Sequence, residues 1–244
     1  MIEIPFLIAI STTLFAGVYD LKTSDVFEEI PAIMISVGLF YWYIISLIYK
    51  EPFYIVNSIS VGLFFLFFGL LLFKLGFWGD GDAWILGGIG FLLPFYNHPF
   101  YPFLFILLVF IVGGIYSLIY IIVYGLLNKK VRVSFVLEFK KYKNICLGFL
   151  ILCMLISIFI PIAIFFGFFP IIYLYSKIIE KSMKKRIRTD KLKEGDVLVG
   201  REIVGLTKEE IEKLKREKRF VEVQEGVRFT MVFPITLIFI YLFF

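Results

Sequence analysis

Two aspartates stand at the edges of long apolar runs. Asp20 follows the first apolar run of the chain, and a second run is directly preceded by the tetrapeptide Gly79, Asp80, Gly81, Asp82. A charged residue in or beside a membrane span is by default a candidate functional residue. Two carboxyl groups at similar depth can share one proton, so that one activates a water molecule and the other protonates a leaving amine. The pair Asp20 and Asp82 therefore predicts the chemistry of an aspartyl hydrolase.

Each aspartate also has a purely structural interpretation, as a helix cap. Asp82 fits it, because an anion is favourable near a helix N-terminus. Asp20 does not fit it, because it ends an apolar run and a helix C-terminus disfavours an anion. Asp80 is a rival to Asp82, and the spacing alone leaves that choice open. Gly79 and Gly81 would let the backbone approach a substrate strand closely.

The composition indicates a lipid environment for these residues. Hydrophobic residues make up 60% of the 244-residue chain and charged residues only 18%, whereas a soluble domain is roughly 45 to 50% apolar and about 25% charged. The net charge of +5 does not indicate a nucleic-acid partner, because the basic residues are unevenly placed. Sixteen of the 25 Lys and Arg residues lie from Lys177 onward. We expect an integral membrane protein with the lipid bilayer as its partner.

Apolar runs long enough for helical spans recur along the chain. A span needs about 20 apolar residues. Two prolines, Pro161 and Pro170, interrupt the sixth run, so the sequence leaves two alternatives for it, a kinked helix and a tight hairpin. We expect an all-α polytopic membrane protein with about six transmembrane helices, seven being the alternative. The runs are Ile4 to Tyr19, Ile30 to Tyr49, Phe53 to Phe73, Ala83 to Phe95, Phe103 to Leu127, Ile145 to Tyr175 and Phe229 to Phe244.

Counting spans places Asp20, Asp82 and the loop expected at residues 128–144 on one side of the membrane. That loop is rich in Lys and Arg, and such residues in short loops mark the cytoplasmic side. We therefore expect the N-terminus outside and an active site that faces the cytoplasm.

The composition turns polar between residues 177 and 227. Thr207 and Glu210 have the spacing of a capping box ahead of a helix through about Arg219, and residues 196–203 and 220–229 favour strands. The basic cluster of residues 184–188 fits either contact with anionic lipid or a simple positive-inside anchor. We predict a transmembrane catalytic core (1–176), a small basic α+β soluble module (177–227) and a C-terminal transmembrane helix (228–244).

With Asp20 at the end of the first span, the tetrapeptide of residues 79–82 resembles the GxGD motif of membrane aspartyl proteases. Within that group the chain is most similar to the type IV prepilin peptidases and the archaeal preflagellin peptidases. The resemblance implies that Asp20 and Asp82 are the catalytic pair and that Asp80 occupies the variable position. It also implies a preflagellin or prepilin-like precursor as partner, with a short basic leader that is removed.

Several other chemistries find no support in the residue inventory. A zinc protease of the HExxH type needs two histidines, and the chain has only His98, which is expected in an outer loop. We expect no metal and no cofactor. The chain has neither a CxxC pair nor a glycine-rich cofactor loop, so methylation of the new N-terminus is not expected.

The main alternative is a small cation- or proton-coupled transporter that uses the same two aspartates. Its site would lie near the bilayer midplane, whereas Asp20 and Asp82 are expected at one interface. The loop after Asp20 carries Asp25, Glu28 and Glu29, which are either a solvated turn or the receptor for the positive leader.

Overall fold

The computed structural model describes residues 3–94, 100–192, 195–200, 205–224 and 226–243, and these residues are predominantly helical. Within them, five helical segments are long and apolar enough to cross a membrane: residues 3–23, 29–49, 53–74, 101–127 and 163–182. This agrees with the expected multi-pass, all-α membrane protein. The helices are α1 (Glu3–Thr23), α2 (Glu29–Tyr49), α3 (Phe53–Lys74), α4 (Asp80–Leu92), α5 (Tyr101–Leu127), α6 (Lys129–Ser157), α7 (Ala163–Phe166), α8 (Phe169–Ser182), α9 (Lys208–Glu217) and α10 (Val232–Phe243).

The described chain forms two compact units. One consists of residues 3–117 together with 227–243, and the other consists of residues 118–200 together with 205–226. The division falls inside α5, at Ser117. The functional boundaries expected after residues 176 and 227 stay predictions.

In the first unit, the short helix α4 is buried between α2 and α3. Small residues make this close packing possible: a Cβ on Gly69 of α3 would lie 2.8 Å from the Cα of Ala83, and one on Gly38 of α2 would lie 2.6 Å from the Phe91 carbonyl oxygen. The far end of α4 is held by two buried hydrogen bonds. Trp42 Nε1 donates to the Leu92 carbonyl at 3.0 Å, and Ser58 Oγ donates to the Phe91 carbonyl at 2.7 Å.

The final helix α10 packs antiparallel to α1. Near the start of α1, Phe6 stacks on Tyr241 of α10 with ring centroids 5.3 Å apart. Near its end, a Cβ on Gly17 would lie 2.7 Å from the sulfur of Met231. The C-terminal end of α1 therefore lies beside the N-terminal end of α10.

In the second unit, α6 and α8 form an antiparallel hairpin. Val131 near the start of α6 shares a buried cluster with Ile179 near the end of α8, and Phe135 packs on Tyr175 with centroids 5.4 Å apart. Of the two alternatives for the run 145–175, the hairpin is the observed one.

The prediction of a loop at residues 128–144 is wrong, because these residues begin α6. The segment contains neither Gly nor Pro, and the Asn128 side chain accepts a hydrogen bond from the Lys130 amide as an N-cap.

The second unit also contains a three-stranded antiparallel sheet and α9. The strands are β1 (Lys184–Arg188), β2 (Val197–Leu198) and β3 (Phe220–Gln224), in the order β1-β3-β2. The capping box of Thr207 and Glu210 is confirmed, although α9 ends at Glu217. Both expected strands are shorter than predicted, and residues 201–204 lie outside the described part. The basic cluster of residues 184–188 forms β1. The sequence did not predict this strand, because its many charged residues obscure the alternation of apolar and polar side chains that is typical of a strand.

Candidate active site

Asp20 lies in the last turn of α1 and is buried, with 7% of its surface exposed. α1 ends just beyond it: the Ser24 amide donates to the Asp20 carbonyl at 2.8 Å, and Ser24 adopts a left-handed conformation with φ of 58°. The Asp20 carboxylate accepts a hydrogen bond at Oδ2 from the Thr230 amide at 3.3 Å. A buried carboxylate at a helix C-terminus has no stabilisation from the helix dipole, so its partners must come from elsewhere in the fold.

Asp82 lies in the first turn of α4 and is equally buried, at 7% exposure. Its Oδ2 accepts a hydrogen bond from the Gly79 amide at 3.3 Å, so Asp82 does cap its helix. Its other oxygen, Oδ1, accepts a hydrogen bond from the Thr230 hydroxyl at 2.8 Å. The cap explains only one of the two carboxylate oxygens.

Thr230 therefore contacts both aspartates. It precedes α10 by two residues and is 1% exposed. Its amide faces Asp20 and its hydroxyl faces Asp82, although these partners lie 210 and 148 residues away in sequence. Both carboxyl groups thus contact the same residue, Thr230.

Arg228 fixes the segment that carries Thr230. Its side chain donates to the Leu21 carbonyl and, through Nε, to the Ser24 hydroxyl at 3.0 Å. Its own carbonyl accepts a hydrogen bond from the Tyr116 hydroxyl at 2.9 Å. A cation at a helix C-terminus is favourable, so Arg228 stabilises the end of α1 next to Asp20.

The loop between α1 and α2 packs on the tetrapeptide of residues 79–82. A Cβ on Gly81 would lie 2.7 Å from the Cβ of Val26, whereas a Cβ on Gly79 would meet only the Asp82 carboxylate, at 3.3 Å. In the same loop, Phe27 stacks on Tyr19 with ring centroids 3.9 Å apart. The close approach that Gly81 permits is thus to the protein's own loop, whereas the sequence reading expected a substrate strand.

The other candidate residues are exposed. Asp80 is the first residue of α4 and lies at the surface, so the structure brings Asp82, not Asp80, next to Asp20. Asp25, Glu28 and Glu29 are also exposed, and an Asp25 oxygen accepts a hydrogen bond from the Val26 amide at 2.9 Å. His98 lies outside the described residues.

Sequence reasoning missed Thr230 and Arg228. Arg228 directly precedes the last apolar run and Thr230 is the second residue of that run, so both lie at the edge of an apolar run, as Asp20 and Asp82 do. The same rule, applied to polar residues at the edge of every run, would have selected them. Placing a neutral threonine at the edge of a membrane span costs little free energy, however, so a threonine does not indicate a functional site as a carboxylate does.

Comparisons with known proteins concern the N-terminal part of the chain. The type IV leader peptidase family matches residues 7–118. A preflagellin peptidase of Methanocaldococcus jannaschii is 33% identical over 96 residues, which are 39% of this chain and 41% of that protein. The chain thus spans about two fifths of the length of this relative. No solved structure matches the chain. Asp20 and Asp82 lie inside residues 7–118, and Thr230 lies outside them.

Proposed function

Because residues 7–118 match the type IV leader peptidase family, we propose that this multi-pass membrane protein is an aspartyl endopeptidase. Asp20 and Asp82 form the pair that activates water. The proposed substrates are preflagellin or prepilin-like precursors, from which the enzyme removes the short basic leader peptide. The reaction needs no metal and no cofactor.

One observation carries this proposal: two buried aspartates 62 residues apart in sequence contact one and the same residue, Thr230. Burying two carboxyl groups together is costly, and the cost is lowest when the pair holds one proton. Such a pair contains a base and an acid at the same time. An arrangement that only capped helices would not require both carboxyls at one point.

The proposed reaction follows from this single shared proton. The ionised carboxylate takes a proton from a water molecule as the water oxygen forms a bond to the scissile carbonyl carbon. The protonated carboxyl gives its proton to the carbonyl oxygen. When the carbon–nitrogen bond breaks, the carboxyl that now holds the proton gives it to the leaving amine, and a hydroxyl of the tetrahedral intermediate gives its proton to the other carboxylate. The products are a carboxylic acid and an amine, and the pair again holds one proton.

The position of the pair favours a peptidase over a transporter. Asp20 lies in the last turn of α1 and Asp82 in the first turn of α4, so both lie at helix ends. A transport site would be expected near the middle of the bilayer. The cytoplasmic side remains part of the proposal because counting the spans in the sequence puts both aspartates on the side of Lys129, Lys130 and Arg132.

We assign leader recognition to the acidic residues Asp25, Glu28 and Glu29. They are exposed and lie in the loop between α1 and α2 or, for Glu29, at the first position of α2, and this loop packs through Val26 on Gly81, the residue before Asp82. Positive leader residues bound here would lie beside the catalytic pair. Opposite charges steer the encounter and set the register of the substrate, and they do so less at high salt.

The test is cleavage of a tagged precursor by the purified protein in detergent. Asp20→Asn and Asp82→Asn should each abolish the shortened product, because each removes one half of the pair while keeping the shape of the side chain. Asp80→Asn is the matched control, with the same chemical change two residues from Asp82, and should remain active. Normal cleavage by either of the first two variants, at equal protein levels in the membrane, would refute the assignment.

A further inference from the structure

We propose that Thr230 is the positioning residue of the aspartate pair, which sets the separation and orientation of the two carboxyl groups. This inference rests on the proposed function. It starts from the two donors of Thr230, since the amide donates to Asp20 at 3.3 Å and the hydroxyl donates to Asp82 at 2.8 Å. Thr230 lies outside the residues that match the family, so the structure alone points to it.

The two donors act differently because of their chemistry. A backbone amide can only donate, so it always presents a proton to Oδ2 of Asp20. A hydroxyl rotates and can donate or accept, so it can follow Asp82 through a cycle in which that carboxyl gains and loses a proton. The amide survives any substitution by another non-proline residue, whereas the hydroxyl does not. A substitution such as Thr230→Val therefore removes the hydroxyl and keeps the amide that donates to Asp20.

Thr230 can position the pair only if its own backbone is fixed. Arg228 ties the preceding segment to the end of α1, and the Tyr116 hydroxyl holds the Arg228 carbonyl. Phe229 packs on Trp78 with ring centroids 5.3 Å apart. After Thr230, its carbonyl accepts a hydrogen bond from the Phe233 amide at 3.3 Å. The residue is thus held from both sides, at the start of α10.

Among the described residues, Asp82 has two hydrogen-bond donors, and the Thr230 hydroxyl is one of them. The Thr230 hydroxyl contacts Oδ1 of Asp82, and the Gly79 amide contacts Oδ2 at 3.3 Å. Removal of the hydroxyl leaves Oδ1 buried without this donor, so the carboxyl is free to turn away from the pair. The expected damage is to the chemical step and not to the binding of the precursor, whose leader is read by the exposed loop.

The test compares Thr230→Val with Thr230→Ser in the detergent cleavage assay. Valine keeps the shape and removes the hydroxyl, so kcat should fall about 10- to 100-fold with KM unchanged, as expected for loss of a hydrogen bond to a charged group. Serine keeps the hydroxyl and should restore most of the rate.

The matched control is Thr236→Val. Thr236 is also fully buried in α10, but its hydroxyl donates to the Val232 carbonyl at 2.9 Å within the same helix. This variant should cleave at the wild-type rate. If Thr230→Val does not accumulate in membranes, Thr230→Ser and Thr230→Cys make the same comparison, because they have similar volume and the thiol is a much weaker donor.

The outcomes separate this inference from the proposed function. If Thr230→Val cleaves like wild type, or if Thr230→Ser is as slow as Thr230→Val, the positioning role is wrong even though Asp20→Asn and Asp82→Asn are inactive. A change confined to KM would also overturn it. If instead the two asparagine variants cleave normally, the proposed function itself fails.

Discussion

Gly81 packs so closely against Val26 that a single added methyl group has no space. In Gly81→Ala, the new Cβ would lie 2.7 Å from the Val26 Cβ and 2.9 Å from its Cγ2. Carbon atoms in ordinary contact are about 3.5–4.0 Å apart, so the loop must move away from α4. This loop carries the acidic residues to which we assign leader binding.

The magnitude follows from two opposing effects. Overpacking by one methyl group typically costs about 1–3 kcal/mol. Alanine favours helix over glycine by about 0.5–1 kcal/mol, and Gly81 lies in the first turn of α4. The net cost to the packed position of the loop is therefore about 0.5–2 kcal/mol. If that position is the one that binds the leader, cleavage at low substrate concentration falls about 2- to 30-fold.

The assay is the initial rate of precursor cleavage in detergent at substrate concentrations below KM. Gly114→Ala in α5 is the matched control, because a Cβ there meets no atom within 4 Å, and it should leave the rate unchanged. Adding Val26→Gly to Gly81→Ala removes the clashing Cβ and should recover part of the loss. A Gly81→Ala variant as active as Gly114→Ala, or a double variant no better than the single one, would refute the packing argument.

Three further predictions concern the loop, α4 and the module. Replacing Asp25, Glu28 and Glu29 together by Lys should slow cleavage of the wild-type precursor at low salt, and a precursor with an acidic leader should recover part of the loss; equal wild-type rates for both precursors would make the loop a solvated turn. Trp42→Phe removes the buried hydrogen bond to Leu92 and should lower stability by about 1–3 kcal/mol in thermal inactivation assays, with the 40% exposed Trp84→Phe as the control that should not. Thr207→Ala should destabilise α9 by about 1 kcal/mol and speed proteolysis of the module, while Thr207→Ser should not.

Much of the site could be anticipated from the sequence, because a charged side chain beside a membrane span is energetically costly and can be recognised from its position in the sequence alone. Asp20 and Asp82 were identified by carboxylates beside apolar runs, and counting spans placed them on one side of the membrane. Thr230 could not be found this way. Its importance comes from two contacts over 210 and 148 residues, and no local pattern encodes which segment reaches the pair.

The fold was predictable where one physical signal dominated. Hydrophobic length gave the spans that correspond to α1, α2, α3 and α5, and the capping box gave α9. The start of α6 was missed because charge was taken as a sign of a loop, although the segment has no residue that breaks a helix. The strand β1 was missed because its pairing with β3 depends on a segment more than 30 residues away.

The position of Thr230 in the chain has a consequence for the order of synthesis. The ribosome makes both aspartates early and makes Thr230 148 residues after Asp82, which at ordinary elongation rates is a delay of roughly 7 to 30 s. During that delay the nascent chain contains both aspartates but not the threonine that hydrogen-bonds to them. The two carboxyls meet Thr230 only when α10 docks against α1, so an incomplete chain in the membrane has both aspartates without the residue that contacts them.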